Sequence, residues 1–290
     1  MEGLETKHLI STHNWYLQTL DAIAFNNNEI TFFIDKNGIS KTYNHQTKKE
    51  IAINSSSIPD ELYNWIIQRI WELDRLLNIK FTKVDDPNKA IMKIIHTDES
   101  IPGTPTSYAE SNSTYPIKSY DESLGRFVAE QANLEIVSKT SDISKTNNWH
   151  KMVMLHEIAH LLTLEHPFET NDGDVYGDIN STKTEDTLLA YGTRTGTYPL
   201  WYQDIDIQAL QEVWGVEQPR IFESNFRDYN FYKIDNGYGI KLKEGTNTID
   251  EITGIENLKF TDQQTNLISD VKGVFDQVTG LNTDSGKMFR

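Results

Sequence analysis

The 290-residue chain contains no cysteine, and this absence excludes disulfides, thiolate metal sites and cysteine nucleophiles. Any metal must therefore be held by His, Asp, Glu or Tyr side chains. Long hydrophobic runs are also missing, since runs such as AIAF and MVML are far too short to cross a bilayer. Basic residues are few: 27 Lys and Arg stand against 43 Asp and Glu, which gives a net charge of −16. That imbalance argues against a nucleic-acid partner or an anionic membrane surface.

The beginning of the chain, MEGLETKHLI, lacks the apolar stretch of a secretory signal. The chain is therefore cytoplasmic, or exported without an N-terminal signal, or derived from a protein whose signal was removed, and composition does not choose among these. The length suits one large domain, or a medium domain with a smaller appendage. A hydrophobic content of 37% is sufficient for a buried core.

Hydrophobic periodicity predicts an α+β domain followed by a small β-rich appendage. The predicted strands are Ile30–Ile34, Lys80–Val84, Ala90–His96 and Leu134–Ser138, and the predicted helices run from Ser57 to Asn78, from Trp149 to Leu162 and from Pro199 to Trp214. Residues 97–132 are rich in Ser, Pro, Gly and Tyr, which favours a loop. After Gly215 the pattern changes to short alternating stretches, including a hairpin signal around Asn236-Gly237. We therefore divide the chain into residues 1–25, 26–220 and 221–290.

The stretch with the clearest chemistry runs from His156 to His166. On a helix, His156 and His160 are four residues apart, so both imidazoles project from one face toward one metal ion. Glu157 is beside them, where it can take a proton from water, and His166 follows beyond the end of the helix. Three imidazoles with one open position are a ligand set of catalytic zinc sites. A structural or vestigial zinc site is the alternative, although such a site has no use for Glu157.

The segment HEIAHLLTLEHP resembles the long zinc motif of the metzincin metalloproteases, HExxHxxGxxH, and its final His-Pro is similar to the serralysin branch. Downstream, Thr187–Tyr191 resembles the Met-turn of that branch, and Pro199–Gly215 is similar to its C-terminal helix. The resemblance covers about residues 26–216. It implies a metzincin-like catalytic domain with a twisted mixed sheet, a long backing helix, an active-site helix and a C-terminal helix.

The same resemblance assigns roles to individual side chains. It implies that His156, His160 and His166 bind zinc. It also implies that Glu157 is the general base and that Tyr191 contacts the zinc or stabilises the transition state. A tyrosine of the core or rim is the plainer alternative for Tyr191.

Two positions depart from the family pattern. Thr163 stands where the family has glycine, at the turn that brings the third histidine to the zinc. A β-branched residue with positive φ is costly there, so either the turn takes another path or the local fold absorbs strain. Leu189 stands where the Met-turn has methionine, and this is a mild change because the two side chains have similar volumes.

Calcium is a second candidate cofactor. Asp172, Asp174 and Asp178 lie in a long acidic loop and could hold Ca²⁺, but the loop does not follow the EF-hand pattern, and a solvated loop is the alternative. The stretch Gly245–Asp262 resembles a pattern found near the repeats of secreted RTX proteins, although the glycine-rich calcium-binding nonapeptide is absent. This resemblance implies a chain cut from a longer protein that is exported without an N-terminal signal.

The function that the sequence predicts is a zinc-dependent endopeptidase that acts on polypeptides, with a monomer assumed. An extended substrate is expected to add to a sheet edge, which the resemblance puts near Ser107–Ser111. Two alternatives remain open. One is a catalytically impaired zinc-binding surface or adhesin-like module, and the other is a protease restricted to itself or to one partner.

Overall fold

The structure, a computed structural model, describes residues 3–36, 38–44, 49–55, 58–97, 108–139, 148–170, 172–234, 237–244, 250–253, 258–262, 264–265 and 288–289. The chain divides into two compact units. The first comprises Met1–Ile70 and Ile79–Gly215, and the second comprises Trp71–Asn78 and Val216–Arg290. The predicted zinc motif belongs entirely to the first unit.

The first unit combines a β-sheet with helices and is an α+β fold. Its strands are β1 (Glu29–Ile34), β2 (Gly38–Asn44), β3 (Lys49–Ser55), β4 (Lys80–Lys83), β5 (Met92–Thr97), β6 (Tyr108–Asp121) and β7 (Arg126–Lys139). The α-helices are α1 (Asn14–Phe25), α2 (Asp60–Asp74), α3 (Asn148–Leu161) and α4 (Asp204–Trp214), and the last four residues of α2 belong to the second unit. Among the residues described, none of these helices has both the length and the apolar character needed to span a membrane.

Five strands form one sheet in the order β4-β1-β5-β7-β6, while β2 and β3 pair as a separate hairpin. The first four strands of the large sheet are parallel to one another, and β6 runs antiparallel to β7 at one edge. In the centre, Phe32 pairs with Met92 and Ile94 pairs with Ile136, and all four side chains are fully buried. Apolar side chains of this kind are expected in parallel strands that are covered on both faces.

The prediction of a loop at residues 97–132 is wrong for most of its described part, because β6 and β7 form a long hairpin there. The turn of this hairpin is closed locally. Asp121 Oδ1 accepts hydrogen bonds from the Ser123 and Leu124 N–H groups at 2.8 and 3.1 Å, and Gly125 has a φ of 63°. The turn at residues 121–125 thus fixes where the two strands of the hairpin meet.

Helix α1, which the periodicity did not predict, packs against β7 and the edge hairpin. The Arg126 guanidinium forms a two-pronged ion pair with the carboxylate of Asp21, at 2.5 and 2.8 Å. The Tyr115 hydroxyl donates to the Trp15 carbonyl at 2.6 Å and lies 2.7 Å from Thr19 Oγ1. These polar contacts attach α1 to the hairpin of β6 and β7.

Helix α2 has the predicted apolar face but ends at Asp74, not at Asn78. The N–H groups of Leu76 and Leu77 both turn back to the Leu73 carbonyl, at 2.9 and 3.0 Å, and this tight turn ends the helix. Leu77 then forms an isolated bridge instead of a further helical turn. The predicted start of this helix, residue 57, lies outside the described residues.

Helix α4 begins at Asp204, five residues after the predicted start at Pro199. The carboxylate of Asp206 receives the N–H of Gln203, the N-cap residue, at 2.8 Å, which fixes the first turn. Gly215 follows the last helical residue with a φ of 79° and ends the helix as predicted.

The second unit is rich in short strands. These are β8 (Arg220–Ile221), β9 (Tyr229–Ile234), β10 (Gly237–Leu242), β11 (Asp250–Thr253), β12 (Leu258–Lys259), β13 (Gln264–Thr265) and β14 (Met288–Phe289). The predicted hairpin is present as β9 and β10, and its turn at 235–236 lies outside the described residues. Phe222, Ile240, Leu258 and Phe260 form a small core, with the rings of Phe222 and Phe260 stacked 4.9 Å apart.

Candidate metal centre

Helix α3 places the first two predicted ligands. Leu155, Ala159 and Leu162 are buried in the core, whereas Met152, one turn before His156, is buried but lines the cavity beside the histidines. His156 and His160 lie one turn apart, and their ring centroids are separated by 4.7 Å. The four-residue spacing of the motif therefore brings both rings to one point.

The three predicted histidines converge through the same ring atom. The Nε2 atoms of His156, His160 and His166 lie 3.1, 3.1 and 3.2 Å from one another. Each Nδ1 faces an acceptor: the Leu188 carbonyl for His156 at 2.8 Å, and the Leu164 carbonyl for His160 at 2.8 Å. Because a carbonyl only accepts, these Nδ1 atoms carry the protons, and the Nε2 lone pairs point at one another.

This triangle, meaning the three Nε2 atoms, fits a metal ion. Tetrahedral zinc with Zn–N bonds of about 2.0–2.1 Å requires nitrogen atoms about 3.3 Å apart, close to the observed separations. Burial, followed by the neighbouring His160, lowers the pKa of His156 to about 3. Burial also lowers the pKa of His160 to about 3, so both imidazoles are neutral at physiological pH, the form that binds metals. The group His156, His160 and His166 could therefore hold a metal ion.

The turn after α3 brings His166 to the triangle through a residue in left-handed conformation. Thr163 has a φ of 75°, and its N–H bonds the His160 carbonyl at 3.0 Å. The Leu164 N–H reaches back to the Ala159 carbonyl at 3.0 Å, so the pair of bonds forms a Schellman motif with Thr163 where glycine is usual. Of the two possibilities for Thr163, the turn keeps the left-handed path, and the fold absorbs the strain.

Residues near the beginning of the chain hold this strained turn in place. Ile10 forms an antiparallel bridge with Leu164, and the Glu165 N–H bonds the Leu9 carbonyl at 2.8 Å. The Ser11 N–H bonds the carbonyl of Thr163 at 3.2 Å. We call this pairing of residues 9–11 with 163–165 the N-terminal clamp. It accounts for how a β-branched residue is kept at positive φ, since surrounding structure must fix such a conformation.

We expect Thr163→Val to raise the free energy of unfolding by about 1 kcal/mol, because the Thr163 hydroxyl is buried without a hydrogen-bond partner. Valine has the same shape and keeps the backbone strain. Thr163→Gly relieves that strain but loses the buried methyl group and adds backbone entropy to the unfolded chain, so we expect a smaller change. Urea unfolding of the three proteins measures both effects. A Thr163→Val protein less stable than the wild type would show that the hydroxyl has a partner.

Glu169 is a site residue that the sequence analysis missed. Its Oε1 accepts the Nδ1–H of His166 at 2.5 Å, and this hydrogen bond is the main cause that lowers the pKa of the Glu169 carboxyl. A carboxylate behind a metal-binding histidine fixes the ring and makes the other nitrogen more basic. The signal available in the sequence was an acidic residue three positions after His166.

The segment Thr187–Tyr191 supports the other side of the triangle. The Leu188 carbonyl orients His156, and Leu189, at the position that resembles the Met-turn methionine, is fully buried. This segment is tied to α4 by Asp206, which is also fully buried. Asp206 accepts hydrogen bonds from Thr187 Oγ1 at 2.5 Å and from the Leu188 N–H at 2.8 Å. Helix α4 therefore helps to position His156 through Leu188.

The buried Asp206 predicts a pH dependence of stability. Burial raises its pKa from 3.8 to about 6, so the unfolded chain releases this proton first as the pH rises. Stability from this group is therefore complete below about pH 4 and is lost through about pH 6, by roughly 3 kcal/mol. In Asp206→Asn the amide oxygen can accept the N–H groups of Leu188 and Gln203, and the amide NH₂ can donate to Thr187 Oγ1. This side chain cannot ionise.

We therefore expect the unfolding free energy of Asp206→Asn minus that of the wild type to increase by about 2–3 kcal/mol as the pH rises from 4 to 7, because only the wild type loses stability over this range. Chemical denaturation at several pH values measures this difference, and groups common to both proteins cancel. A constant difference over that range would mean that Asp206 ionises in the folded protein as readily as in the unfolded chain.

Glu157 and Tyr191 lie at an open cleft beside the triangle. Glu157 is 8% exposed and lines a cavity of about 450 Å³ together with the three histidines. Tyr191 is 45% exposed, and its ring centroid lies 4.8 Å from that of His166 and 6.0 Å from that of His156. Burial, followed by the charge of Glu157, raises the pKa of Tyr191, so its hydroxyl keeps its proton and remains a donor.

The walls of the cleft come from separate elements. The edge strand β6 contributes Ala109–Ser111, helix α3 contributes Trp149, Met152 and Val153, and the segment after Leu189 contributes Ala190–Gly192. The sheet edge expected to receive substrate thus borders the same cavity as the histidines, although residue 107 lies outside the described residues.

The acidic loop is arranged differently from the prediction. Asp172 and Asp174 come together with Glu165, and their carboxylate oxygens lie within 4.8 Å of one another. Asp178 is not part of this group, since its carboxylate instead accepts hydrogen bonds from Asn180 N at 2.7 Å and from Ser181 Oγ at 3.3 Å. The set of Asp172, Asp174 and Asp178 is therefore wrong in its third member.

The fold and site together define an α+β protein with a three-histidine group that could hold a metal ion. No protein-family model matches the chain, and the search of curated proteins finds no match.

Proposed function

We propose that this protein is a zinc-dependent endopeptidase of the metzincin type. The observation that carries the proposal is the triangle of Nε2 atoms with Glu157 beside it in an open cleft. A closed structural site would use a fourth side chain and would not need an acidic residue at the cavity wall. The resemblance of the motif and of Thr187–Tyr191 to metzincin sequences supports the same assignment.

The proposed chemistry divides between the metal and the chain. A zinc ion held by His156, His160 and His166 would supply Lewis acidity toward water and the scissile carbonyl. Glu157 takes a proton from the attacking water and delivers it to the nitrogen of the leaving amine. Its partial burial at the cavity wall suits this task, because a carboxylate there is accessible to substrate but shielded from bulk solvent.

Two further features support peptide as the substrate. Ala109–Ser111 of the edge strand borders the cavity, so an extended chain can add to the sheet there through backbone hydrogen bonds. Such bonds do not depend on side chains, which suits hydrolysis of polypeptides. The Tyr191 hydroxyl, a donor at the rim of the cavity, can stabilise negative charge that develops on the carbonyl oxygen.

Hydrolysis of casein by the zinc-loaded protein tests the proposal, with phenanthroline treatment as the control. We expect cleavage that stops when the chelator removes zinc and returns when zinc is restored. If the protein binds zinc and cleaves neither casein nor any member of a diverse peptide library, general proteolysis is wrong. The zinc-binding module without activity would then be the better description.

A further inference from the structure

A second cluster of candidate ligands lies beside the triangle but uses oxygen atoms alone. Glu165, Asp172 and Asp174 bring their carboxylates together, and one oxygen of each is buried without a hydrogen-bond partner: Glu165 Oε1, Asp172 Oδ1 and Asp174 Oδ1. Glu165 is 2% exposed, so its unpartnered oxygen cannot be satisfied by bulk water. Carboxylates this close together repel one another, and either shared protons or a cation between them removes that repulsion.

Among the described residues, only the charge of His8 acts on the cluster, and it does so on Asp174 without an ion pair. In the part of the chain that the structure describes, the ion pairs include none of these three carboxylates. The donors that reach them are neutral: the N–H and hydroxyl of Thr12 bond Asp172 Oδ2 at 3.1 and 3.3 Å, and the Ser11 side chain bonds Glu165. The side of the cluster that these donors do not cover is left for a cation.

We propose that Glu165, Asp172 and Asp174 bind a calcium ion that joins the N-terminal clamp to the loop after the zinc motif. Calcium accepts six to eight oxygen ligands in flexible geometry, whereas zinc prefers nitrogen and sulfur and magnesium retains most of its water. Asp172 and Asp174 are only partly buried, so water can complete the coordination. The bound ion fixes Glu165, which directly precedes His166, and Asp172, which holds Thr12.

The test is calcium binding by protein that has been stripped of metals on a chelating resin and then saturated with zinc. We expect a Kd of about 0.1–1 mM and a rise in Tm of about 5 °C at about 10 mM CaCl₂, with a much smaller rise for MgCl₂. Terbium, a luminescent substitute for calcium, should bind to the protein, and calcium should displace it.

The variants Asp172→Asn and Asp174→Asn should each weaken calcium binding by at least about tenfold, since each removes a charged ligand. Asp178→Asn is the matched control, because this aspartate of the same loop lies outside the cluster, and its calcium response should equal that of the wild type. A wild-type Tm that does not respond to calcium, or responds equally to magnesium, would overturn the proposal. So would unchanged calcium affinity in both cluster variants. None of these readouts depends on proteolysis, so the outcome is separate from that of the proposed function.

Discussion

Glu157→Gln should reduce kcat/KM for peptide cleavage by about 10³-fold while the protein keeps its zinc. The amide has the size of the carboxylate but cannot take a proton from water. Because Glu157 is not one of the three converging ligands, the Nε2 triangle remains intact in this variant. Steady-state cleavage of a fluorogenic peptide, measured beside zinc content, separates loss of the base from loss of the metal.

The companion variant is Glu157→Asp, which keeps the carboxylate but withdraws it from the cavity by one methylene group. We expect its kcat/KM to fall between those of the wild type and Glu157→Gln, because proton transfer depends on distance as well as on basicity. Full activity in Glu157→Gln would remove the general-base role. Loss of zinc from Glu157→Gln would instead give this residue a structural role at the metal centre.

The second large effect concerns Glu169. Glu169→Ala should weaken zinc binding by about 100-fold and Glu169→Gln by about tenfold, because the amide oxygen can still accept the His166 Nδ1–H but carries no charge. Competition with a chromophoric chelator measures these affinities. Zinc affinity should therefore fall from the wild type to Glu169→Gln and again to Glu169→Ala. The first step measures the effect of the charge, and the second measures the effect of the hydrogen bond.

Asp178→Asn serves as the control for this series, since it also removes a negative charge from the acidic loop, but its carboxylate bonds Asn180 and Ser181 and not a histidine of the triangle. Its zinc affinity should equal that of the wild type. Equal affinities for wild type and Glu169→Ala would show that the turn alone positions His166. An equal loss in Asp178→Asn would mean that zinc responds to the total charge of the loop.

The sequence predicted the convergence of the histidines where local geometry decides it. His156 and His160 meet because four residues complete about one helical turn, and this holds for any stable helix. Glu169 and Asp206 could not be predicted in the same way. Glu169 reaches His166 only because Thr163 adopts positive φ, and Asp206 meets Leu188 across 18 residues of sequence. Such contacts depend on the tertiary path of the chain.

For the fold, the buried parallel strands were predictable because apolar β-branched runs such as Ile30–Ile34 have few other possible structures. The hairpin of β6 and β7 was not, because its first strand is polar and lies at the sheet edge, where no apolar face is required. Pro116 lies in a register shift of this hairpin, which an edge strand tolerates. Strand propensity therefore did not predict β6, because hydrogen bonds to the backbone of β7, and not burial of side chains, stabilise this strand.

The N-terminal clamp has a consequence for the order of folding. Residues 9–11 pair with 163–165, so the segment that sets the position of His166 closes a loop of more than 150 residues. Long loops close late in folding, because the chain loses entropy on closure before the contacts between its ends can stabilise it. During synthesis at the ribosome, helix α3 must emerge before the clamp can form, and α4 must emerge before Asp206 can fix Leu188. The triangle is therefore expected to form only after nearly all of the first unit has been synthesised. A nascent chain thus contains the histidine motif well before its three Nε2 atoms converge.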